Sequence, residues 1–421
     1  MFNTISMIGL GYIGLPTATL FASRKKKVVG VDVNRHVVDT INQGKIHIVE
    51  PDLDMLVQAA VASGYLRATT VPEPADAFLI AVPTPFTDGH KPDLSCVKAA
   101  AQAIAPVLRK DNLVILESTS PVGTTEKLAT WLAEARSDLS FPQQAGEAAD
   151  VQVAYCPERV LPGRVVHELV DNDRVIGGMT RAANFMAAAL YKIFVRGDLI
   201  ATNVRTAEMC KLAENSFRDV NIAFANELSM ICDRLDIDVR ELIRLANRHP
   251  RVNILKPGAG VGGHCIAVDP WFIIDQTPDE ARLIRTAREV NDRKIEWVLG
   301  KVDHAVGQAV ARGAAAETVR IACLGLAYKA NVDDLRESPA LSIVQALAEK
   351  YPGRIAVAEP HIESLPDVFG DGAAMMGPHE AIDWADVTVA LVGHDQFKSI
   401  CFDHVDDELF VDVAGIRKND A

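Results

Sequence analysis

The chain has 421 residues, 49% hydrophobic and 24% charged, room for two or three domains with the composition of an ordinary globular protein. Its net charge of −13 argues against a nucleic-acid platform, since nothing basic is dense enough to neutralise several phosphates. The seven cysteines are odd in number, scattered and without a CxxC pair, which excludes a disulfide framework and makes a structural metal improbable.

The start, MFNTISMIGLGYIG, carries no basic segment ahead of its apolar run, and no uncharged apolar run reaches membrane-spanning length. With free thiols, this leads us to expect a reducing, cytoplasmic setting. Short β-rich runs at 5–8, 28–33, 77–82, 112–117, 151–155 and 174–176 alternate with helical stretches such as 95–108 and 124–135. That βαβ rhythm predicts an N-terminal Rossmann-like parallel sheet covered by helices. The basic run Arg24-Lys25-Lys26-Lys27 falls where a helix should end and reads as a solvated C-terminus.

The stretch 206–235 contains neither Pro nor Gly, so one helix about 45 Å long is expected. Helices at 239–247 and 278–307 flank the glycine-rich segment GVGGHCIAVDPW, residues 260–271. After a low-complexity segment at 312–317 the βα rhythm returns, with strands at 319–324, 354–358, 387–392 and 409–413. The expected order is therefore a Rossmann domain at 1–200, a central helical domain at 201–311 and a C-terminal Rossmann-like α/β domain at 312–421.

Six constellations carry chemistry. Gly9-Leu-Gly11-Tyr12-Ile13-Gly14 follows a strand and opens a helix, and Asp32 ends the next strand. In that context the glycines permit a tight turn, close approach of a pyrophosphate and close helix packing. The helix N-terminus faces the phosphates, and Asp32 accepts from the adenosine ribose, favouring NAD over NADP. Arg35 is the one nearby cation that softens this preference. Thr84, Thr119 and Thr125 follow strand ends, where hydroxyls reach a nicotinamide or simply form turns and N-caps. In Tyr155-Cys-Pro-Glu158-Arg159-Val160, Glu158 could act as a base and Arg159 could meet a phosphate or form a surface ion pair.

On the long helix Lys211, Asn215 and Arg218 fall at i, i+4 and i+7 and share a face. Lysine and amide donors one turn apart suit a developing oxyanion, though charges at helical spacing are also what a solvated face carries. Cys265 sits between glycines and a nearby acid, downstream of Arg248-His-Pro-Arg251, the context of an exposed nucleophile; the other six cysteines read as inert fillers. The sixth segment, from Gly325 through Lys329 to Arg336, resembles a second nucleotide cradle without GxGxxG.

A dinucleotide site with a thiol suggests two successive oxidations of a primary alcohol, the aldehyde being held as a thiohemiacetal and leaving through a thioester. GLGYIGLP, SPVGT, YCPERVLPG, EMCKLAENSFRDVNIAFANEL, GVGGHCIAVDPW and GLAYKANVDDLRESP together resemble the UDP-sugar 6-dehydrogenases. Within them, ERVLPG and NRHPRVNIL are similar to the branch acting on UDP-N-acetyl-D-mannosamine, whose uronate product feeds bacterial surface polysaccharides such as the enterobacterial common antigen.

The resemblance implies NAD as cofactor, a UDP-sugar substrate, two NAD and one water per turnover, and a homodimer through the central helix, with no nucleic acid or membrane partner. It implies Cys265 as nucleophile and Lys211 and Asn215 at the oxyanion, with Glu158 and Asp269 as alternatives for moving protons and Thr119 beside them. Arg159, Val160, Arg218, His249, Arg251, Gly262, Tyr328 and Lys329, with Lys211 and Asn215, are implied at the substrate, and Arg336 at the cofactor. A two-electron hydroxyacid dehydrogenase would have no use for the thiol, and a non-enzymatic NAD sensor none for the lysine and carboxylates.

Overall fold

The computed structural model describes residues 2–48, 50–87, 89–160 and 163–417. The chain packs as two compact units, Met1–Glu214 with Trp271–Gln276, and Asn215–Pro270 with Thr277–Ala421. The boundary falls inside the long helix.

In the first unit the strands are β1 (Thr4–Ile8), β2 (Lys27–Val31), β3 (Leu66–Thr69), β4 (Ala77–Ile80), the two-stranded hairpin β5 (Phe86–Thr87) and β6 (Lys91–Pro92), β7 (Asn112–Leu116), β8 (Val151–Tyr155), β9 (Arg174–Gly178) and β10 (Leu199–Asn203). Eight of them form one sheet in the order β10-β9-β8-β7-β4-β1-β2-β3. β4, β7 and β8 are buried at every position, as expected of strands covered on both faces. Separate apolar clusters cover the two faces, one around Met7, Leu79 and Ile115, the other around Ile8, Phe78 and Ile80.

The expected parallel sheet holds from β3 to β8, but β9 pairs antiparallel to β8. Among the described residues the link between them carries one helix, the seven-residue Val165–Asp171. At about 10 Å such a helix is too short to carry the chain back along a strand, so the link stays at one end of the sheet. As a result Arg174 begins β9 at the end where β7 and β8 finish. β3 and β10 escape sequence reading because one is four residues long and the other is largely exposed. Residues 271–276 join this unit through Trp271, which stacks on His90 at 4.0 Å, and Gln276, which exchanges hydrogen bonds with the backbone of Val122.

The second unit holds the rest of the long helix Val204–Arg234 and the helix Arg282–Ala311. Arg288 pairs with Asp219 (2.8 Å), Asn291 meets Asn226 (2.9 Å), and Lys294 donates to Ser229 (2.6 Å) along a buried polar seam. The closing sheet is fully parallel, in the order β13-β12-β11-β14-β15, from β11 (Ile321–Leu324), β12 (Ile355–Ala358), β13 (Ala373–Met375), β14 (Val387–Ala390) and β15 (Phe410–Asp412). Among the described residues no helix is long and apolar enough to cross a membrane.

Candidate active site

The glycine motif sits at the carboxyl end of β1. Gly9 has φ +92°, and a Cβ there would stand 2.4 Å from the Ala81 carbonyl oxygen; one on Gly14 would stand 1.8 Å from that of Gly9. Neither position tolerates a side chain. Gly11 instead faces open space, the surface a pyrophosphate needs. Tyr12 leans on the core beneath, and Ile13 precedes the helix that starts at Gly14. Asp32 follows β2 and accepts from the backbone N–H groups of Leu10 (3.0 Å) and Asn34 (2.9 Å), fixing its carboxylate beside the glycine turn. Arg35 is occupied by Asp39 at 3.2 Å. These residues fit an NAD adenosine and pyrophosphate.

The strand-end hydroxyls have protein partners. Thr84 Oγ1 donates to the Thr119 carbonyl (2.5 Å), tying the loops after β4 and β7 together. Thr125 is buried and donates through both N–H (2.8 Å) and Oγ1 (2.7 Å) to Glu208 on the long helix, which also accepts from Gly123 N–H (2.6 Å). Burial raises the Glu208 carboxyl above the ordinary range. Sequence reasoning missed Glu208, because an acid on a charged helix carries no local mark of burial.

Beyond β8, Glu158 is nearly buried. Its Oε1 accepts from Arg159 N–H (2.6 Å), and its Oε2 stands 3.2 Å from Arg174 Nη2. Arg159 forms a two-pronged ion pair with Glu214, at 3.0 and 2.8 Å. Val160 packs on the core, and Leu161 and Pro162 lie outside the described residues. Glu50, also unforeseen, holds the segment that follows by accepting from Gly163 (2.9 Å) and Val165 (2.7 Å).

Lys211 is half-buried on the long helix and Arg218 exposed, with Asn215 buried between them. Asn215 Nδ2 donates to Asp269 Oδ2 at 2.5 Å. Asp269 opens the helix Asp269–Gln276 and its N–H donates to the Cys265 carbonyl (2.8 Å), so the acid sits one turn beyond the thiol. Cys265 is half-buried in the turn preceding that helix.

The glycines ahead of it serve close packing. A Cβ on Gly262 would stand 2.4 Å from the Glu337 carbonyl oxygen and 2.8 Å from Tyr328 Cβ; Gly263, at φ +81°, lies against the Tyr328 ring. Gly263 N–H donates to the Arg336 carbonyl (3.0 Å). The second unit thus brings Cys265, Asn215, Asp269, Gly262 and Tyr328 into one neighbourhood.

Burial, then the nearby Asp334 and Cys265, raise the Tyr328 hydroxyl; burial and the charge of Arg218 lower the Lys329 ammonium. Asp334 opposes that lowering of Lys329. Arg336 grips Asp334 at 2.9 and 2.7 Å and, against the cost of burial, holds that carboxyl below its ordinary value. His249 and Arg251 are exposed on a turn, where His249 Nδ1 accepts from Arg251 N–H (3.3 Å).

The second cradle repeats part of the first: Gly325 follows β11 at φ +96°, and Glu359 after β12 accepts from Leu326 N–H (2.8 Å). Ala327 stands where the first cradle has Gly11. Glu359, His361 and His394 have metal-ligand spacing. However, Asn331 N–H donates to His394 Nδ1 (2.9 Å), so the ring proton lies on Nε2, which donates to Glu359 (3.0 Å). That nitrogen has a proton where a metal requires a lone pair.

Three models of one family match in order: the NAD binding domain of the UDP-glucose/GDP-mannose dehydrogenase family over residues 3–195, its central domain over 205–293 and its UDP binding domain over 322–419. The chain belongs to the UDP-glucose/GDP-mannose dehydrogenase family. It is an NAD-dependent enzyme, and NAD is its cofactor. A UDP-N-acetyl-D-mannosamine dehydrogenase of Yersinia pestis is 63% identical over 416 residues, 99% of each chain. An NDP-N-acetyl-D-galactosaminuronic acid dehydrogenase of Ralstonia nicotianae is 62% identical over 99% of this chain and 96% of that one. Among solved structures, a UDP-D-ManNAc dehydrogenase from Pyrococcus horikoshii has TM-score 0.89 at 38% identity, covering 99% and 96% of the two chains.

Proposed function

We propose that this enzyme oxidises the C6 primary alcohol of UDP-N-acetyl-D-mannosamine to the carboxylate, consuming two NAD and one water per sugar. The observation that carries this reading is Cys265, half-buried on a tightly packed glycine turn, one helical turn ahead of the Asp269–Asn215 pair. A single alcohol oxidation has no use for a thiol there; capture of an aldehyde does.

When bound, the cofactor supplies the hydride acceptor for both oxidations. Glu158 takes the proton of the C6 hydroxyl as a hydride leaves C6, giving the aldehyde. The Cys265 thiolate then adds to the aldehyde carbon, forming a C–S bond and an oxyanion that takes the proton back from Glu158. Loss of a hydride from carbon and of that proton to solvent leaves a thioester. Water adds to it with Glu158 accepting a proton, the C–S bond breaks, and thiolate and acid separate. Lys211 and Asn215 donate to the oxygen that carries charge at each stage, while Asp269 orients Asn215 through the hydrogen bond to its amide. Arg218, Tyr328 and Lys329 suit the diphosphate, Gly262 lets the turn close on Tyr328, and Thr84, Thr119 and Thr125 hold the loops around the cofactor. Arg159, Val160, His249, Arg251 and Arg336 are assigned to ligands on family resemblance alone. The three-part division at 1–200, 201–311 and 312–421 follows the same reading, supported by the order of the three family models.

The Ralstonia relative favours a second reading, the galactosamine epimer as substrate. NADH release measured across UDP-N-acetyl-D-mannosamine, -galactosamine and -glucosamine decides between them. The mannosamine sugar should lead in kcat/KM by about tenfold or more, the scale of one misplaced hydrogen bond, with two NADH formed per sugar. A galactosamine lead overturns the substrate, and a ratio of one with free aldehyde overturns the thiol's role.

The same reading includes a homodimer. Phe217, Phe224 and Ile231 recur every seven residues along the long helix and are 70%, 49% and 46% exposed, an apolar stripe suited to a second copy. Light scattering should find a dimer that Phe224→Glu with Ile231→Glu converts to monomer; a monomeric parent protein would refute the interface. On the same reading the enzyme works in the reducing cytoplasm, where thiols such as Cys265 stay reduced.

A further inference from the structure

Behind Glu158 lies a buried set of groups that the reaction scheme leaves without a task. Arg174, at the start of β9, extends its guanidinium between Glu158 and the ring of Tyr191, 4.7 Å from the ring centre, with Phe194 at 5.6 Å. Tyr191, from the helix Arg181–Tyr191, donates its hydroxyl to Glu117 Oε1 at 2.6 Å. Glu117 ends β7 and is 2% exposed. Arg174 Nη1 also faces the Cys156 sulfur at 3.9 Å, and Nη2 the Leu169 carbonyl at 3.4 Å.

The set is underfilled. Glu117 Oε2, Arg174 Nε and Glu158 Oε2 have no hydrogen-bond partner among the described residues; Glu158 and Arg174 are paired by charge at 3.2 Å without hydrogen-bond alignment. Arg174 is thus paired with Glu158 and lies against the Tyr191 ring, while Tyr191 holds Glu117, and the charge of Arg174 favours the Glu117 anion as well. A buried cation placed in this way moves toward whichever partner carries more charge, because Coulomb forces are strong where water is excluded.

We propose that Glu117 is a positioning residue for Glu158: when Glu117 ionises it draws Arg174 toward itself and frees the Glu158 carboxylate to take protons. The inference rests on the role given to Glu158 above. The surrounding groups make Glu117 the switch. Burial pushes its carboxyl up to about 7, against the pull of Arg174 and the Tyr191 hydroxyl. Burial pushes the Cys156 thiol up to about 11 and Tyr191 well above its ordinary value, and Arg174, flanked by Glu158 and Glu117, stays protonated. Of these four, only Glu117 changes charge near neutrality. The sign follows: below about pH 7 neutral Glu117 leaves Arg174 on Glu158, restraining it as a base, and above it the restraint eases.

The test is the pH dependence of kcat in the intact enzyme. The parent profile should rise through an inflection near pH 7. Glu117→Gln, a mimic of the protonated acid, should remove the inflection and hold kcat at the low-pH level, with KM for either substrate within about twofold. Tyr191→Phe, which deletes a hydrogen bond that favours the anion, should move the inflection to higher pH and gives a second reading if Glu117→Gln folds poorly. Infrared difference spectra between pH 6 and pH 8 should show a protonated buried carboxyl that disappears on ionisation and is missing in Glu117→Gln. A Glu117→Gln profile superimposable on the parent overturns the inference. Glu158→Gln separates the two levels: if it abolishes turnover while Glu117→Gln changes nothing, this inference alone fails; if Glu158→Gln turns over normally, the role of Glu158 fails and this inference with it.

Discussion

Cys265→Ser is expected to lower steady-state turnover by about three orders of magnitude or more, the usual consequence of removing a covalent nucleophile. The loss should have a signature. The first oxidation does not need the sulfur, so mixing enzyme with substrate and excess NAD should give a burst of about one NADH per site and then a stall. Serine oxygen is a poorer nucleophile toward the aldehyde, and any ester it forms hydrolyses slowly. Stopped-flow absorbance reads the burst, and mass spectrometry of the quenched enzyme identifies a trapped ester. The turn around Cys265 is held by Gly262 and Gly263 against Tyr328 and by the Asp269 N–H, none of which involves the sulfur, so the variant should fold normally. Near-normal turnover in Cys265→Ser would remove the thiol from the mechanism.

Lys211→Ala should reduce kcat by about 10²–10³, the range for deleting one donor to a developing oxyanion, while NAD affinity changes by less than about twofold. The two measurements are needed together. Lys211 is half-buried on a helix whose next turn carries Asn215, itself held by Asp269. If the lysine merely decorated a solvated face, its loss would cost almost nothing in kcat. If it supported the fold, melting temperature and cofactor affinity would fall together. A kcat unchanged in Lys211→Ala returns the residue to the solvated face.

Much of this site was legible in residue order. Gly9 and Gly14 each meet a neighbouring backbone at a distance no side chain survives, and that demand is local, so GxGxxG after a strand announces it. The Pro- and Gly-free stretch announced the long helix, which runs Val204–Arg234. The loop of Cys265 was recognisable by its glycines, which close the turn on Tyr328 and the backbone of Glu337.

Other features were out of reach. Thr125 reads as a candidate beside the nicotinamide, yet its hydroxyl is taken by Glu208, 83 positions away. Asp269 stands near Cys265 in sequence, but its carboxylate serves Asn215, 54 positions earlier. Arg174 looked like the first residue of an ordinary parallel strand; the reversal between β8 and β9 puts it against Glu158.

By itself the sequence determined the α/β class, the NAD cradle, the long helix and the glycine-rich turn of Cys265, because each is written in steric limits and periodicities that span a few residues. The tertiary structure alone decided the direction of β9, the partners of Asp269 and Thr125, and the burial of Arg174 against Glu158. Those depend on where distant segments meet after the chain has turned. No local pattern encodes the burial that lets one charge govern another.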